Sequence, residues 1–408
     1  MAAPSPPREL SGLANLLLSY VVGMAALATV WPLDFQLPVG RVVFGTTPED
    51  VLLNVGLLFP AGFLWRIARP GRRWPGSLDG LALGIGLSSL LEGLQLFLPM
   101  RCASPTDVVM NGLGAWAGAL AHDALRRRYA DAWLSRVCLT LPLTKLLYLC
   151  APLIALQAWS AADRLDAAAL LPLAAFTARV AAALQRRARA AGLGARTDTV
   201  RERDAWGFAF GFAGVFALVS SPIAVHMPRE ALAIAFGSTL LARVAFALES
   251  GTSAGERRFE VSSVLRALPW FGLYLALVGV QQFHVEPGRH GATRGLFLLR
   301  DVAAFSVLGY MLSQLHGRGM FARWSVYRLS SACALGLGAT FGALRHWHGA
   351  ADLAELALLV ASAIVGCSIH RAEVGVVRAM RGRPRIDPAK IDPTAVIFAE
   401  RLDRTSSA

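Results

Sequence analysis

Charge is what this sequence has least of: 16% of its 408 residues are Asp, Glu, Lys or Arg, where a soluble domain carries about 25%. With 55% apolar residues and a mean hydropathy of +0.49, that shortage excludes a water-soluble globule and any large disordered region. Cysteine is scarce too. Cys102, Cys138, Cys150, Cys333 and Cys367 lie far apart, with no CxxC or Cys/His ligand spacing. A zinc centre and a disulfide framework are thereby excluded, and the five read as small apolar residues. The chain also lacks a Gly-rich phosphate loop, a Ser nucleophile elbow, an HExxH helix and a kinase-like motif set. No cofactor and no metal are expected, and a non-enzymatic role is favoured.

Long apolar segments are what the sequence has in abundance. A bilayer-spanning helix needs about 20 mostly apolar residues, and such segments occur near 12–32, 50–67, 78–98, 107–125, 137–158, 167–184, 205–224, 231–248, 264–284, 297–315, 329–345 and 352–369. The expected fold class is all-α, a polytopic transmembrane helix bundle of about twelve spans. Arg8 precedes the first run, which extends from Leu10 to Trp31 without a cleavage site and is too long for a signal-peptide core, so it reads as a retained helix.

The net charge of +13, from 40 Lys and Arg against 27 Asp and Glu, could suggest nucleic acid, but its distribution argues otherwise. Alternate connections hold most of the arginines: Arg66, Arg69, Arg72 and Arg73, then Arg126, Arg127, Arg128 and Arg136, then Arg186, Arg187 and Arg189, and so on to the tail. That bias is the positive-inside pattern, so both termini of a multi-pass membrane protein are expected in the cytoplasm. The partner implied is the lipid bilayer, not nucleic acid. Three regions follow: a four-helix module over 1–128, a second transmembrane region of about eight helices over 129–370, and a basic cytoplasmic tail over 371–408 with Pro384, Pro388 and Pro393 among its charges.

Polar residues inside spans are costly and mark functional candidates, and here they gather in the first third. The second segment opens Thr47-Pro48-Glu49-Asp50 and reaches Asn54; the fourth opens Ser104-Pro105-Thr106-Asp107 and reaches Asn111. Asp and Asn four residues apart share one helix face, about 40° around and about 6 Å along. Thr47 and Ser104 with an acid three residues on read as capping boxes. The asparagines, a turn deeper, need an interhelical partner or a polar ligand. The third segment carries Glu92 and Gln95 on one face, with Arg101 in the short loop beyond. A buried Glu92–Arg101–Asp107 network pinning helices is one reading; a pocket for an anionic or sugar-bearing head group is the other.

The string Glu92-x2-Gln95-x5-Arg101-x5-Asp107-x3-Asn111-x2-Gly114-x3-Gly118, preceded by Asn54-x5-Pro60-x-Gly62, resembles the VanZ-like family of bacterial integral membrane proteins over roughly residues 10–128. The resemblance marks Asn54, Glu92, Gln95, Arg101, Asp107 and Asn111 as the polar signature and expected ligand-binding set. It implies a cell-envelope protein linked to teicoplanin-type glycopeptide resistance, and a partner such as a polyprenyl-phosphate-linked wall or polysaccharide precursor at the outer leaflet. A transporter or flippase, and a membrane enzyme using Glu92 as acid/base on a lipid phosphate, are the alternatives.

Later segments echo the second to fourth at an offset of about 250. Asp301-Val302 repeats Asp50-Val51 and Ala334-Leu335-Gly336 repeats Ala82-Leu83-Gly84, a register that sets Asn54 against Phe305 and Glu92 near Leu344. His284, Glu286, Arg289, His290, His346 and His348 read as solvated loop residues. Lys145 is a candidate pore-facing residue, while Arg179 and Arg243, near cytoplasmic ends, read as snorkelling.

Overall fold

The computed structural model describes residues 8–30, 35–37, 40–45, 47–69, 78–99, 101–128, 141, 143–161, 163–190, 202–250, 259–283, 291–316, 325–344 and 350–381. The outer-loop histidines, Cys138, Arg345 and the tail beyond 381 lie outside the described residues. Along the chain run α1 (Arg8–Val30), β1 (Arg41–Val42), α2 (Pro48–Ala68), α3 (Leu78–Gln95), β2 (Cys102–Ala103) and α4 (Pro105–Arg128), followed by α5 (Thr144–Ser160), α6 (Arg164–Ala168), α7 (Leu170–Ala190), α8 (Glu202–Val219) and α9 (Pro222–His226), then α10 (Pro228–Ser250), α11 (Phe259–Phe283), α12 (Gly291–His316), α13 (Val326–Leu344) and α14 (Ala350–Arg381). All twelve expected segments coincide with a helix of this series; α6 and α9 are five-residue additions.

By length and composition, six helical stretches among the described residues can cross a membrane: Ser11–Val30, Arg164–Arg187, Pro228–Glu249, Val261–Gln281, Gly295–His316 and Leu353–Val376. Their outer faces suit lipid. On α10, Leu232, Phe236, Leu240, Val244 and Leu248 are exposed at every fourth residue, an apolar stripe that water would not tolerate and hydrocarbon does. The core runs through α12, whose span is 89% buried. Phe305 and Tyr310 there pack with Leu13 and Leu17 of α1, Leu149 and Leu153 of α5, and Phe271 and Tyr274 of α11.

Glycines decide how closely α2, α3 and α4 approach. A Cβ on Gly62 would overlap the backbone carbonyl of Ala115, one on Gly114 that of Val55, and one on Gly118 that of Phe59. The two helices therefore touch backbone to backbone, in parallel because the contact points advance together along both chains. On the antiparallel helix α3, Gly80 faces Ala119 and Gly84 faces Ala115 and Gly112.

The same pattern recurs in α12, α13 and α14. A Cβ on Gly309 would overlap the Ala363 carbonyl, and one on Gly366 that of Ser306, next to Tyr310 N. Ser330 of α13 lies beside Cys367, and Gly338 meets Leu356 and Leu359. The edge-on ring pair Phe63–His122, 5.7 Å between centroids, has its likeness in Tyr310–His370 at 5.3 Å.

One boundary moves. Helix α14 continues through Arg381, past the expected start of the tail at 371, because Glu373 and Val376 are still buried against the bundle.

Candidate functional site

Helix α2 begins with a complete capping box. Asp50 N donates to Thr47 Oγ1 (3.2 Å) and Thr47 N donates to Asp50 Oδ2 (3.1 Å). Helix α4 begins beside it, with Asp107 N donating to Ser104 Oγ at 3.3 Å. Each aspartate also sits at the positive end of its helix dipole, which lowers the cost of keeping it charged. Because α2 and α4 are parallel and in backbone contact, their two starts come together. Asp50 is close enough to Asp107 to repel it, and the Asn54 amide is within hydrogen-bonding reach of the Asp107 carboxylate.

The other signature residues brace this pair. Glu92, buried on α3, accepts the peptide N–H of Ser104 on Oε2 at 2.7 Å, so the carboxylate fixes the entry into α4. Asn111 donates from Nδ2 to Ser88 Oγ at 3.0 Å, joining α4 to α3, while its Oδ1 is sealed from solvent with no hydrogen-bond partner. Gln95 donates to the carbonyl of Thr29 (3.3 Å) and Arg101 to that of Ala28 (3.2 Å). Both satisfy carbonyl groups in the last turn of α1, the negative end of its dipole. Burial draws the Arg101 guanidinium down from its usual value, and it stays charged.

The expected Glu92–Arg101–Asp107 network thus takes a different form. Glu92 holds the Ser104 backbone, Asp107 meets Asn54, and Arg101 reaches back to α1. A strap of residues 35–37 and 40–45 packs on the connection between α3 and α4. It pairs in parallel as β1 with β2 (Arg41 opposite Cys102, Val42 opposite Ala103), and Gly40 N donates to Leu96 O at 3.0 Å. Gly40 is required there, since a Cβ would fall 2.6 Å from Leu96 Cα.

Glu92 gives a clean test of the bracing role. Glu92→Gln keeps an acceptor for Ser104 N and should retain the fold, whereas Glu92→Leu strands a buried N–H at a cost of about 2 kcal/mol. Thermal unfolding of the two detergent-solubilised variants beside wild type measures the difference; equal midpoints would remove Glu92 from this role.

A second polar cluster, at the far end of α2–α4, was not legible in the sequence. Arg66, one of the arginines assigned to topology, is buried and forks onto Asp123 (Nη2–Oδ1 2.9 Å, Nε–Oδ1 3.1 Å) while Nη1 reaches Asp79 at 3.2 Å. His122 Nδ1 lies 3.2 Å from the same Asp123 oxygen. The available signal was three ionisable residues, Arg66, Asp79 and Asp123, at the same end of three successive helices.

In the second half Arg300, fully buried, bonds Asp301 (3.0 Å) and Gln281 Oε1 (2.8 Å). Lys145 faces no pore: its ammonium is 2.6 Å from Glu373 and its side chain is fully buried. Nor does Arg179 snorkel. It pairs with buried Glu249 at 3.2 Å, and Arg243 pairs with Glu202 at 3.3 Å. Among the described residues no group of three or more His, Cys, Asp or Glu side chains could hold a metal ion.

Residues 10–126 match the family model described as VanZ/LLP1. The N-terminal third is therefore VanZ-like, and all six signature residues lie within the matched segment. No curated protein and no solved structure matches the chain.

Proposed function

We propose that this protein is a bacterial plasma-membrane protein of about twelve spans with cytoplasmic termini, whose VanZ-like module binds the sugar-bearing head of a lipid-linked wall or polysaccharide precursor at the outer leaflet. The observation that carries this reading is the meeting of Asp50, Asn54 and Asp107 at the paired starts of α2 and α4. Asp50 is exposed and the other two half-exposed, so a ligand can reach them. Glu92 and Asp107 are also close enough to interact electrostatically. Among the described residues Asp50, Asp107 and Glu92 gather here, and Arg101 donates to α1. Such a site suits the hydroxyl donors of a glycan, which carboxylates and amide oxygens accept strongly, better than the phosphate of the same lipid. A part in resistance to teicoplanin-type glycopeptides, which act on the envelope at this face, is the physiological extension of the reading.

Native mass spectrometry of gently extracted protein tests it, comparing wild type with Asp107→Ala. The expected result is a co-purifying glycolipid in wild type that is lost in the variant. The same lipid in both samples, or none in wild type, overturns the proposal.

One observation favours a transporter as the second reading. The contacts of Gly62, Gly118, Phe63 and His122 recur at Gly309, Gly366, Tyr310 and His370, and we read α12–α14 as a degenerate second copy of α2–α4. Two like modules in one chain are a common transporter plan. In this register Asn54 corresponds to Asp301, Asn111 to Leu359 and Glu92 to Gly342, so the copy keeps the packing and loses the polar site.

A further inference from the structure

The strap ahead of α2 turns its backbone to the protein and its apolar side chains away from it. Gln36 N donates to Phe97 O at 2.8 Å, Gly40 N to Leu96 O at 3.0 Å and Val43 N to Ala103 O at 2.9 Å. Phe44 O accepts the Thr106 hydroxyl at 3.2 Å. Yet Leu37 is 87% exposed and Phe44 76%, with Phe35, Val42 and Val43 exposed beside them. Side chains that touch so little of the protein do not pack its core, and a run of five is more than the scattered apolar residue found on any surface. Phe97, whose carbonyl holds the strap, is exposed as well.

The height of the strap follows from α1. Ser11–Val30 is one of the stretches able to cross a membrane, and the strap begins five residues later, at Phe35. The connection beneath it is tied to the last turn of that stretch, Gln95 donating to the Thr29 carbonyl and Arg101 to that of Ala28. A strap lying on this connection is level with the end of the span, where hydrocarbon gives way to head groups. We propose that the strap is an interfacial element whose partner is the bilayer itself: Phe35, Leu37, Val42, Val43 and Phe44 insert among the lipids of the leaflet at the Val30 end of α1, the outer one in the topology above. Arg41, exposed among them, then lies at the level of the lipid phosphates. The backbone pairing permits insertion, because peptide groups enter an apolar setting cheaply only when bonded. Thr106 stands one residue before Asp107, so the strap also fixes the start of α4, and the polar cluster there, at the membrane surface. The inference rests on α1 as a span and not on the glycan reading.

The test places nitroxide labels on the full-length chain in nanodiscs of phosphatidylcholine and phosphatidylglycerol. Leu37→Cys and Phe44→Cys are compared with Phe236→Cys on the exposed apolar stripe of α10, each in a background whose five native cysteines are replaced by alanine. Collision is read with oxygen, which concentrates in hydrocarbon, and with a nickel chelate, which stays in water. The expected result is that oxygen collisions exceed nickel collisions at both strap positions, as at Phe236. Nickel dominance at 37 and 44 beside oxygen dominance at 236 overturns the proposal and leaves the membrane reading standing; nickel dominance at all three overturns both. Immobile labels shielded from both reagents mean that protein covers the strap, and overturn it too. If the cysteine-free background fails to accumulate, hydroxyl-radical footprinting of the native chain in the same discs decides. Phe44 is expected to oxidise no faster than Phe236, and faster oxidation overturns the proposal.

Discussion

Gly118→Leu is expected to prevent assembly of the α2–α4 module, whereas Gly86→Leu on the neighbouring helix should be close to neutral. Both add the same side chain to the interior of a helix, so hydrophobicity and helix propensity change alike. They differ in what the new atoms meet. At Gly118 a Cβ lands on the Phe59 carbonyl, with Phe63 N next to it, and neither can yield as a flexible side chain would. At Gly86 nothing lies within 4 Å. Overpacking a dense contact costs about 3 kcal/mol, and here separating the backbones would also pull Asn54 from Asp107 and part the starts of α2 and α4. Size-exclusion profiles and thermal midpoints of the solubilised variants measure the contrast. If Gly118→Leu matches wild type, close packing of α2 on α4 is not what holds the module. Gly366→Leu, set against the Ser306 carbonyl, should reproduce the defect in the second half.

Why some of this was legible in the sequence and some was not follows from the range of each interaction. The capping box of Thr47 and Asp50 is local, spanning three residues, and the sequence pattern states it outright. The twelve apolar segments are also local signals, and each coincides with a helix. The partners of Asn54 and Asn111 were not legible, because an amide inside a span announces a need without naming who meets it; Asp107 and Ser88 answer from other helices. Arg101 was the nearest cation to Glu92 in sequence, yet the carboxylate takes a backbone N–H and the arginine a carbonyl of α1, since the loop brings peptide groups closer than side chains. The echo near offset 250 was read from short strings in apolar context, which match in several registers. In the second-copy reading proposed above, the glycine and ring contacts set Asp301 opposite Asn54 where the strings had put Phe305. Arg66 was assigned to topology and Arg179 to snorkelling, because neither composition nor position along a span shows that each has a carboxylate across the bundle.

Lys145→Met is expected to destabilise the second half by about 4 kcal/mol, and the Lys145→Met/Glu373→Met double variant to recover most of that loss. The Lys145 side chain is fully buried, and its ammonium is held by Glu373 Oε1 at 2.6 Å and by the Leu141 carbonyl at 2.9 Å. Glu373 in turn accepts Tyr310 Oη–H on Oε2 at 2.7 Å. Removing the lysine alone takes the cation from a buried carboxylate in an apolar bundle, and the desolvation of that charge is then poorly compensated. Removing both returns the contact between α5 and α14 to hydrocarbon, which helices can pack without charge. A Tyr310→Phe variant should fall between, since it costs one charge-assisted hydrogen bond, about 2 kcal/mol. Unfolding of wild type, Lys145→Met, Glu373→Met and the double variant in a double-mutant cycle gives the coupling directly. A double variant no more stable than Lys145→Met would mean that α14 is held in place by its apolar and glycine contacts, and that the buried pair has been kept for something other than the fold.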